Sequence, residues 1–134
     1  GNNLKSCTIC GVLRRYILNK YARKLKATKL VTVHNLNNEA QTIMMNLFKN
    51  NIEFHARLGP TTGTNKDKKF IPRIKPLYFV TEQEVINYSK AKKFPVKYGH
   101  CPCRSGVYRC AIDEVLTKYE KTNPAILSFT LIVQ

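Results

Sequence analysis

Cysteine is the residue type in this chain whose spacing most directly suggests chemistry. Cys7 and Cys10 form a C-x-x-C-G sequence, and Cys101, Cys103 and Cys110 follow near the other end. Two intervening residues let both sulfurs of a C-x-x-C pair face one centre. Because five is an odd number, a framework of paired disulfides is disfavoured. A reducing compartment with metal-binding or redox cysteines is the better interpretation.

Three kinds of site fit the first cysteine pair: half of a zinc site, a redox pair and half of an iron–sulfur site. A closed zinc site needs four ligands, which Cys7, Cys10, Cys101 and Cys103 could supply. The single residue between Cys101 and Cys103 fits a zinc knuckle poorly. We expect Cys110, in an apolar helical stretch, to pack in the core.

The charge of the chain predicts a polyanionic partner. Twenty-three Lys and Arg residues against eight Asp and Glu residues give a net charge of +15 over 134 residues. Residues 1–30 contain basic but no acidic side chains, and so does the stretch between Glu84 and Asp113. Such one-signed stretches repel themselves unless a polyanion neutralises them, and nucleic acid is the favoured partner. A solvated basic surface is the alternative.

The pattern of the first half predicts part of an α/β fold. A helix is expected from Val12 to about Ala27, with an apolar face of Leu18, Tyr21, Ala22 and Leu25. The β-branched run 30–33 predicts a buried strand, and a polar turn follows at 34–38. Asn38 is the expected cap of a second helix. Strand, turn and helix in this order are typical of a parallel α/β sheet.

The second half is predicted to contain a long loop and three helices. Residues 50–76 are rich in Gly, Pro, Thr and Lys and are expected to form a loop. Residues 75–80 form a candidate strand or extended segment. Thr81 and Glu84 predict a capping box for a helix to about Lys93. Two further helices are expected at 107–120 and 124–133, and the last is apolar enough to require burial.

Several of these segments resemble one known family. The segments, in chain order, are Cys7-x-x-Cys10-Gly11-x-x-Arg14-Arg15, His34-Asn35-Leu36-x-x-Glu39-Ala40-Gln41-Thr42, Met45-Asn46-Leu47, Arg57-x-Gly59-Pro60, Pro72-Arg73-x-Lys75-Pro76-Leu77 and Cys101-Pro102. Together they resemble the tRNA 2-thiouridine and 2-thiocytidine sulfurtransferases of the PP-loop ATP-pyrophosphatase superfamily. The archaeal and eukaryotic uridine thiolases are the most similar branch, and the resemblance covers residues 7–127.

The resemblance implies a fold, a cofactor and a reaction. The fold would be a partial Rossmann-like domain, a three-layer parallel sheet with helices. In the family, two cysteines of C-x-x-C and a later Cys-Pro cysteine hold a [4Fe-4S] cluster with one open iron. Carried over, both the catalytic cysteines and the metal ligands would be Cys7, Cys10 and Cys101. With Mg²⁺, ATP adenylates the C2 oxygen of a tRNA pyrimidine, with uridine favoured, and a sulfur nucleophile then displaces AMP.

The resemblance also implies further site residues. His34, Asn35 and Asn38 would contact the nucleotide cofactor, although an isolated histidine at a strand end is more often structural. Basic residues near the long loop and the first cysteines would face RNA. These RNA-binding candidates are Arg14, Arg15, Arg57, Arg73 and Lys75.

Two departures from the family pattern bear on activity. The SGGxDS phosphate loop would lie before Cys7 and is absent from these residues. Asn37 and Asn38 stand where the family usually has two aspartates, which removes negative charge that a Mg²⁺ site would use. Residues 1–134 are therefore expected to form one domain, the carboxy-terminal half of a PP-loop domain, and an incomplete or inactive portion of the enzyme.

The expected partners follow from the same resemblance. They are tRNA, a sulfur donor such as a ubiquitin-like sulfur carrier, and either a second copy of the chain or the missing half. A cytoplasmic location without a membrane anchor is expected. The alternative function is a non-catalytic RNA-binding module with a structural zinc at the same cysteines, and a thiol redox protein is a further rival.

Overall fold

A computed structural model describes residues 6–63, 69–99, 101 and 108–132, without the side chains of Ser6, Cys7, Phe129 and Ile132. Its strands lie among helices in the first two thirds of the chain, and the described last third contains helices. In chain order they are α1 Ser6–Lys24, β1 Leu30–Val31, α2 Leu36–Phe48, α3 Ile52–His55, β2 Thr61–Thr62, β3 Arg73–Ile74, α4 Glu82–Ala91, α5 Tyr108–Glu120 and α6 Ile126–Ile132. The predicted α/β class is confirmed.

The described strands form one small mixed sheet in the order β1-β3-β2. β1 and β3 are parallel, with Leu30 opposite Arg73, as expected for an α/β sheet. β2 runs antiparallel to β3, so the sheet is not wholly parallel. β1 has a described neighbour, β3, on one side only. Leu30 of this strand is half-buried, whereas Val31 and, beyond the strand, Val33 are 58% and 77% exposed. The predicted strand is therefore confirmed at Leu30–Val31, and the prediction that it is buried is wrong.

Packing of α2 against α5 and α6 builds the core. Leu36 and Ala40 of α2 meet Ile112 and Leu116 of α5 and Leu127 of α6, all buried. The predicted helices at 107–120 and 124–133 are thus confirmed within the described residues, and the last one is covered by α2. Cys110 is half-buried in α5 rather than enclosed in this core.

The first helix differs from its prediction in extent and in burial. α1 begins at Ser6, so the C-x-x-C pair lies inside the helix and not before it. Ala22 is buried, but Tyr21 and Leu25 of the expected apolar face are 57% and 78% exposed. Asn19 attaches this helix to the segment before β3, because its side chain donates to the Lys69 carbonyl and accepts from the Ile71 amide. No described helix has the length and apolarity that crossing a bilayer requires.

Capping decides where α2 and α4 begin. The predicted Thr81–Glu84 capping box is present at α4. The cap of α2 is Asn35, not Asn38: the Asn35 side chain accepts from the Asn38 amide, and the Asn38 side chain accepts from the Asn35 amide. Either asparagine has the cap chemistry, and the turn that enters the helix decides between them.

The expected loop at 50–76 contains α3, β2 and β3. The candidate strand at 75–80 is a pair of turns instead, in which the Tyr78 amide donates to Lys75 and the Val80 amide donates to Leu77. β3 ends just before Pro76, which has no amide hydrogen to continue a strand ladder.

Candidate functional site

A basic cleft of about 640 Å³ lies between α1, the sheet and the first turns of α2 and α5. Some of its residues were candidates from the sequence, but their spacing did not show that they line one cleft. Its lining residues are Gly11, Arg14, Arg15, Leu18, Leu30, Thr32, His34, Glu39, Thr42, Leu58, Thr62, Arg73, Lys75 and Arg109. Four of the five predicted RNA-binding residues therefore line the same cleft as one of the three predicted cofactor-binding residues, His34.

Glu39 and Lys75 form a buried ion pair on the wall of the cleft. The Lys75 ammonium donates to the Glu39 carboxylate over 2.8 Å, and the exposed fractions of the two side chains are 8% and 4%. Among the described residues that line the cleft, Glu39 is the single acidic one. With Lys75 neutralised in this way, Arg14, Arg15 and Arg73 supply positive charge to the same space, which Arg109 also lines. The cleft is electrostatically suited to an anion.

Arg73 and Arg15 bring two guanidinium groups into the cleft. Burial lowers the pKa of Arg73, and the nearby charge of Arg15 lowers it further. Burial and the like charge of Arg15 both disfavour the charged form of Arg73. A phosphate between the two groups would relieve this repulsion and could accept several charge-assisted hydrogen bonds.

His34 lies on the cleft wall three residues after the end of β1, and its side chain is only partly buried. Its ring nitrogen Nδ1 is 3.2 Å from the Thr32 hydroxyl oxygen. Burial lowers the pKa of His34, Glu39 opposes that change, and Lys75, Arg109 and Arg73 add to it. A neutral imidazole can accept one hydrogen bond and donate another, so it can orient a polar ligand without adding charge.

Arg109 reaches the cleft from α5 and is held by α2. Its guanidinium donates to the Gln41 side-chain oxygen and to the Thr42 hydroxyl, over 3.3 and 3.1 Å. Gln41 in turn donates to the Asp113 carboxylate over 2.6 Å. Sequence analysis counted Arg109 as part of a basic stretch but did not assign it to the site. Arg109 is about 70 residues from Gln41 and Thr42 in sequence, so no local pattern indicated that these residues are in contact.

Cys10 lies beside the cleft, at its border with an apolar surface. Its sulfur accepts a 3.5 Å hydrogen bond from the guanidinium of Arg14, which itself lines the cleft. On the other side Cys10 borders a shallow cavity of about 590 Å³. The remaining lining residues of that cavity are Ile9, Leu13, Arg14, Ile17 and Leu18.

The predicted metal ligands are only partly described. Cys10 and Cys101 are exposed free thiols, and Cys7 lies one turn before Cys10 in α1. Cys103 and the Cys7 side chain lie outside the described residues. Within the described part of the chain, no three His, Cys, Asp or Glu side chains are grouped as a metal site would require. The donor set is nevertheless suited to a soft metal, because accessible thiolates are the ligands that iron–sulfur clusters and zinc use.

Three further predicted site residues lie elsewhere. Asn35 and Asn38 cap α2 through their side-chain oxygens and are not among the residues lining the cleft. Arg57 is exposed, 3.9 Å from Glu53, and does not line the cleft either. The geometry therefore supports a structural role for the two asparagines. Their predicted contact with a cofactor, and the predicted contact of Arg57 with RNA, have no support from these positions.

Comparison with known proteins identifies a set of relatives that share most of this chain. It is 40% identical over 127 residues to tRNA 2-thiolation protein NcsA of Haloferax volcanii, an alignment that covers 91% of the chain and 40% of that protein. It is 36% identical over 118 residues to tRNA-5-methyluridine(54) 2-sulfurtransferase of Pyrococcus horikoshii, covering 88% of the chain and 37% of the relative. Cytoplasmic tRNA 2-thiolation protein 1 of Caenorhabditis briggsae is 34% identical over 120 residues, with shares of 89% and 32%.

A solved structure has the same fold. The U34-tRNA thiolase NcsA from Methanococcus maripaludis, solved with its [4Fe-4S] cluster, matches with a TM-score of 0.81 and 30% identity. The match covers 96% of this chain and 42% of that protein. No protein-family model matches. The chain spans about two fifths or less of the length of these curated relatives. Over some nine tenths of its own length, the chain is homologous to tRNA 2-thiolation proteins and tRNA sulfurtransferases.

Proposed function

We propose that the protein carrying this region catalyses ATP-dependent 2-thiolation of a tRNA pyrimidine, uridine in particular. The chain would be the carboxy-terminal half of a PP-loop domain, and it would contribute the cysteines and part of the tRNA surface. The relatives named as tRNA 2-thiolation proteins support this function. The Asn37–Asn38 pair leaves open the alternative of a catalytically inactive member.

The observation that carries the proposal is the position of Arg14. This residue donates to the Cys10 sulfur and also lines the basic cleft. A sulfur-bearing group at Cys10 would therefore lie next to the space that holds an anionic substrate. Sulfur transfer to a nucleotide requires this juxtaposition, since the nucleophile and the reacting carbon must be brought within contact distance.

The cysteines would hold the cofactor. Cys7, Cys10 and Cys101 are the proposed ligands of a [4Fe-4S] cluster like the one in the NcsA structure, with zinc as the alternative metal. When bound through three cysteines, such a cluster supplies an iron atom that lacks a protein ligand and can bind sulfur. Arg14 would keep positive charge beside this site.

The cleft residues would act on the substrates. ATP, with Mg²⁺, transfers AMP to the C2 oxygen of the pyrimidine and releases pyrophosphate. Sulfur then attacks C2, the C2–oxygen bond breaks and AMP departs with its electron pair. Arg15, Arg73 and Arg109 would bind the phosphate of AMP or of the tRNA backbone. His34, as a neutral ring, would hydrogen-bond the nucleotide, and the Glu39–Lys75 pair would hold this wall of the cleft in place.

Partners and compartment are also proposals. tRNA is the macromolecular substrate, and the sulfur donor would be a ubiquitin-like carrier or an equivalent protein. The exposed apolar side chains of α1 would be covered by the remainder of the protein or by a second copy. We propose a cytoplasmic location, as the names of several relatives state for those proteins.

Metal and sulfide analysis after anaerobic purification tests the cysteine assignment. We expect iron with matching acid-labile sulfide and a broad visible absorption band. Cys10→Ala and Cys101→Ala should lose both, whereas Cys110→Ala is the matched control and should keep them. Zinc without sulfide would favour the structural zinc module instead, and loss of iron in Cys110→Ala would overturn the assigned ligands. A reversible Cys7–Cys10 disulfide without metal would favour the redox rival.

Thiolation itself is tested on the complete protein. Purified tRNA, ATP, Mg²⁺ and a sulfide source should yield 2-thiouridine, measured by mass spectrometry of the nucleosides. Arg14→Gln should lower this yield by roughly a hundred-fold or more, in keeping with loss of a charge beside the reacting groups. A complete protein that holds its cluster and binds tRNA but makes no 2-thiouridine would contradict the enzymatic proposal.

A further inference from the structure

We propose that the carboxyl end of α4 and the segment after it bind single-stranded RNA by stacking bases on exposed aromatic rings. This aromatic–lysine surface consists of Tyr88, Lys90, Lys92, Phe94 and Tyr98. None of these residues lines the basic cleft, so the surface is a second contact for RNA. The inference extends the proposed function, because it takes RNA as the partner.

The rings are exposed and contact one another or lysines. Tyr88, Phe94 and Tyr98 have exposed fractions of 59%, 53% and 55%. Tyr88 and Phe94 meet edge to face, with ring centroids 6.1 Å apart. Lone exposed aromatic residues are common on protein surfaces, but here Tyr88 contacts Phe94, and Tyr98 contacts Ser89, the residue after Tyr88. Exposed apolar residues grouped in this way indicate a partner.

The lysines lie over the rings. The Lys92 ammonium is 5.9 Å from the Tyr88 centroid, and the Lys90 ammonium is 6.0 Å from that of Tyr98. Lys93 and Lys97 add charge in the same segment, and residues 85–99 contain no acid. Phosphates can therefore be bound beside each ring without competition from a local carboxylate.

The rings are held in position by the end of α4. Lys93 has a φ of +52°, and the Phe94 amide donates to the Ser89 carbonyl while the Lys93 amide donates to Lys90. This is the Schellman arrangement, which fixes the direction of the chain as it leaves the helix. The Tyr98 hydroxyl contacts the hydroxyl of buried Ser89. Rings immobilised in this way lose little conformational entropy when a base stacks on them.

These features favour RNA over a protein partner. Base stacking on aromatic rings flanked by cations is the recurrent mode of single-strand binding, and unpaired bases are needed to expose their faces. An acidic protein would satisfy the lysines but would not require planar rings. A substitution that removes a ring but keeps charge and apolar volume should therefore weaken the binding of RNA and should not weaken the binding of an acidic protein.

Fluorescence anisotropy with a labelled, unstructured RNA oligonucleotide tests the surface on the complete chain. Phe94→Leu keeps apolar volume and removes the ring, and we expect affinity to fall about ten-fold. Phe54→Leu, on α3, is the matched control because Phe54 is similarly exposed at 60%, and it should leave affinity unchanged. An abasic oligonucleotide of the same length should bind wild type and Phe94→Leu equally.

Charge is tested separately. Lys92→Gln should reduce the slope of log affinity against log salt by about 0.7, the change expected for one phosphate contact on a single strand. Lys118→Gln on α5, also exposed, is the control. If Phe94→Leu binds like wild type, or if the loss persists on the abasic oligonucleotide, the inference is overturned.

Cleft variants separate this inference from the proposed function. If Arg73→Gln weakens tRNA binding while Phe94→Leu does not, the aromatic–lysine surface fails and the proposed function stands. If Phe94→Leu weakens RNA binding but the complete protein makes no thiolated tRNA, the surface stands as an RNA-binding site and the thiolation proposal fails.

Discussion

The ammonium nitrogen of Lys75 lies 2.8 Å from the Glu39 carboxylate, and each side chain is more than nine-tenths buried. The two residues belong to different parts of the chain, with Glu39 in α2 and Lys75 directly after β3. Their contact ties the sheet to the helical layer at the wall of the basic cleft. A buried pair of this kind is costly to break, because the remaining charge is left without compensation.

Removal of one partner should destabilise the fold by about 3–5 kcal/mol. We expect Glu39→Gln to cost more than Lys75→Met, because Glu39 is the one acidic residue among those lining the cleft and Lys75 would remain near Arg73 and Arg109. Urea unfolding of both variants measures the difference. Added inorganic phosphate should recover part of the loss in Glu39→Gln, since an anion can replace the lost charge. Equal losses without a phosphate effect would contradict the anion-binding cleft.

His34 should make stability depend on pH. Its pKa is lowered in the folded state from the ordinary value of 6.5, mainly by burial. His34 therefore binds a proton more readily in the unfolded chain than in the folded one. Its contribution to stability is present above about pH 6.5 and is lost as pH falls towards the folded pKa. Denaturant midpoints on either side of pH 6.5 measure this effect. His34→Gln should show a smaller drop, and an identical drop in both proteins would contradict the assignment.

Restoring the family's two aspartates should leave the fold intact. The Asn37 oxygen accepts from the first amide of α4, and the Asn38 oxygen accepts from the Asn35 amide before α2. A carboxylate accepts the same bonds, and negative charge is favoured at helix amino termini. Asn37→Asp/Asn38→Asp should therefore unfold within about 0.5 kcal/mol of wild type. The matched alanine variants should each lose about 1 kcal/mol.

The same aspartate variant also tests the asparagine side chains as determinants of activity. If thiolation by the complete protein rises while stability stays constant, charge at these positions contributes to Mg²⁺ or nucleotide binding. If neither changes, the two asparagines act as caps alone. A large loss of stability in the aspartate variant would show that the caps depend on the amide groups.

Glycine should stabilise the end of α1. Lys26 has a φ of +53°, the Ala27 amide donates to Ala22, and the Lys26 amide donates to Arg23. A side chain in this left-handed conformation costs roughly 1 kcal/mol, and glycine avoids that strain. Lys26→Gly should therefore be more stable than Lys26→Ala by about 1 kcal/mol. Both variants lose the same charge, so thermal unfolding of the pair isolates the backbone effect, and equal melting temperatures would contradict it.

Features that depend on neighbours a few residues apart could be predicted from the amino-acid sequence alone. The Thr81–Glu84 capping box joins residues three apart, and α5 follows a periodic pattern that needs no distant partner to be recognised. Ala40 and Ile43, three residues apart in α2, are fully buried, in keeping with the local spacing of one helix face. The cysteine spacing and the segment 34–42 indicated the family only together with the four other matching segments.

The covering of apolar faces and the pairing of charges depend on contacts between residues that are distant in sequence. Periodicity identified an apolar face on α1, but Tyr21 and Leu25 are exposed because nothing in the described chain packs over them. The cleft combines side chains from α1, the sheet, α2 and α5, so Glu39, Lys75 and Arg109 could not be assigned to one site from spacing. These residues are distant in sequence and come close only when the chain folds. Their electrostatic interactions depend on the distances in the folded structure, which residue spacing does not give.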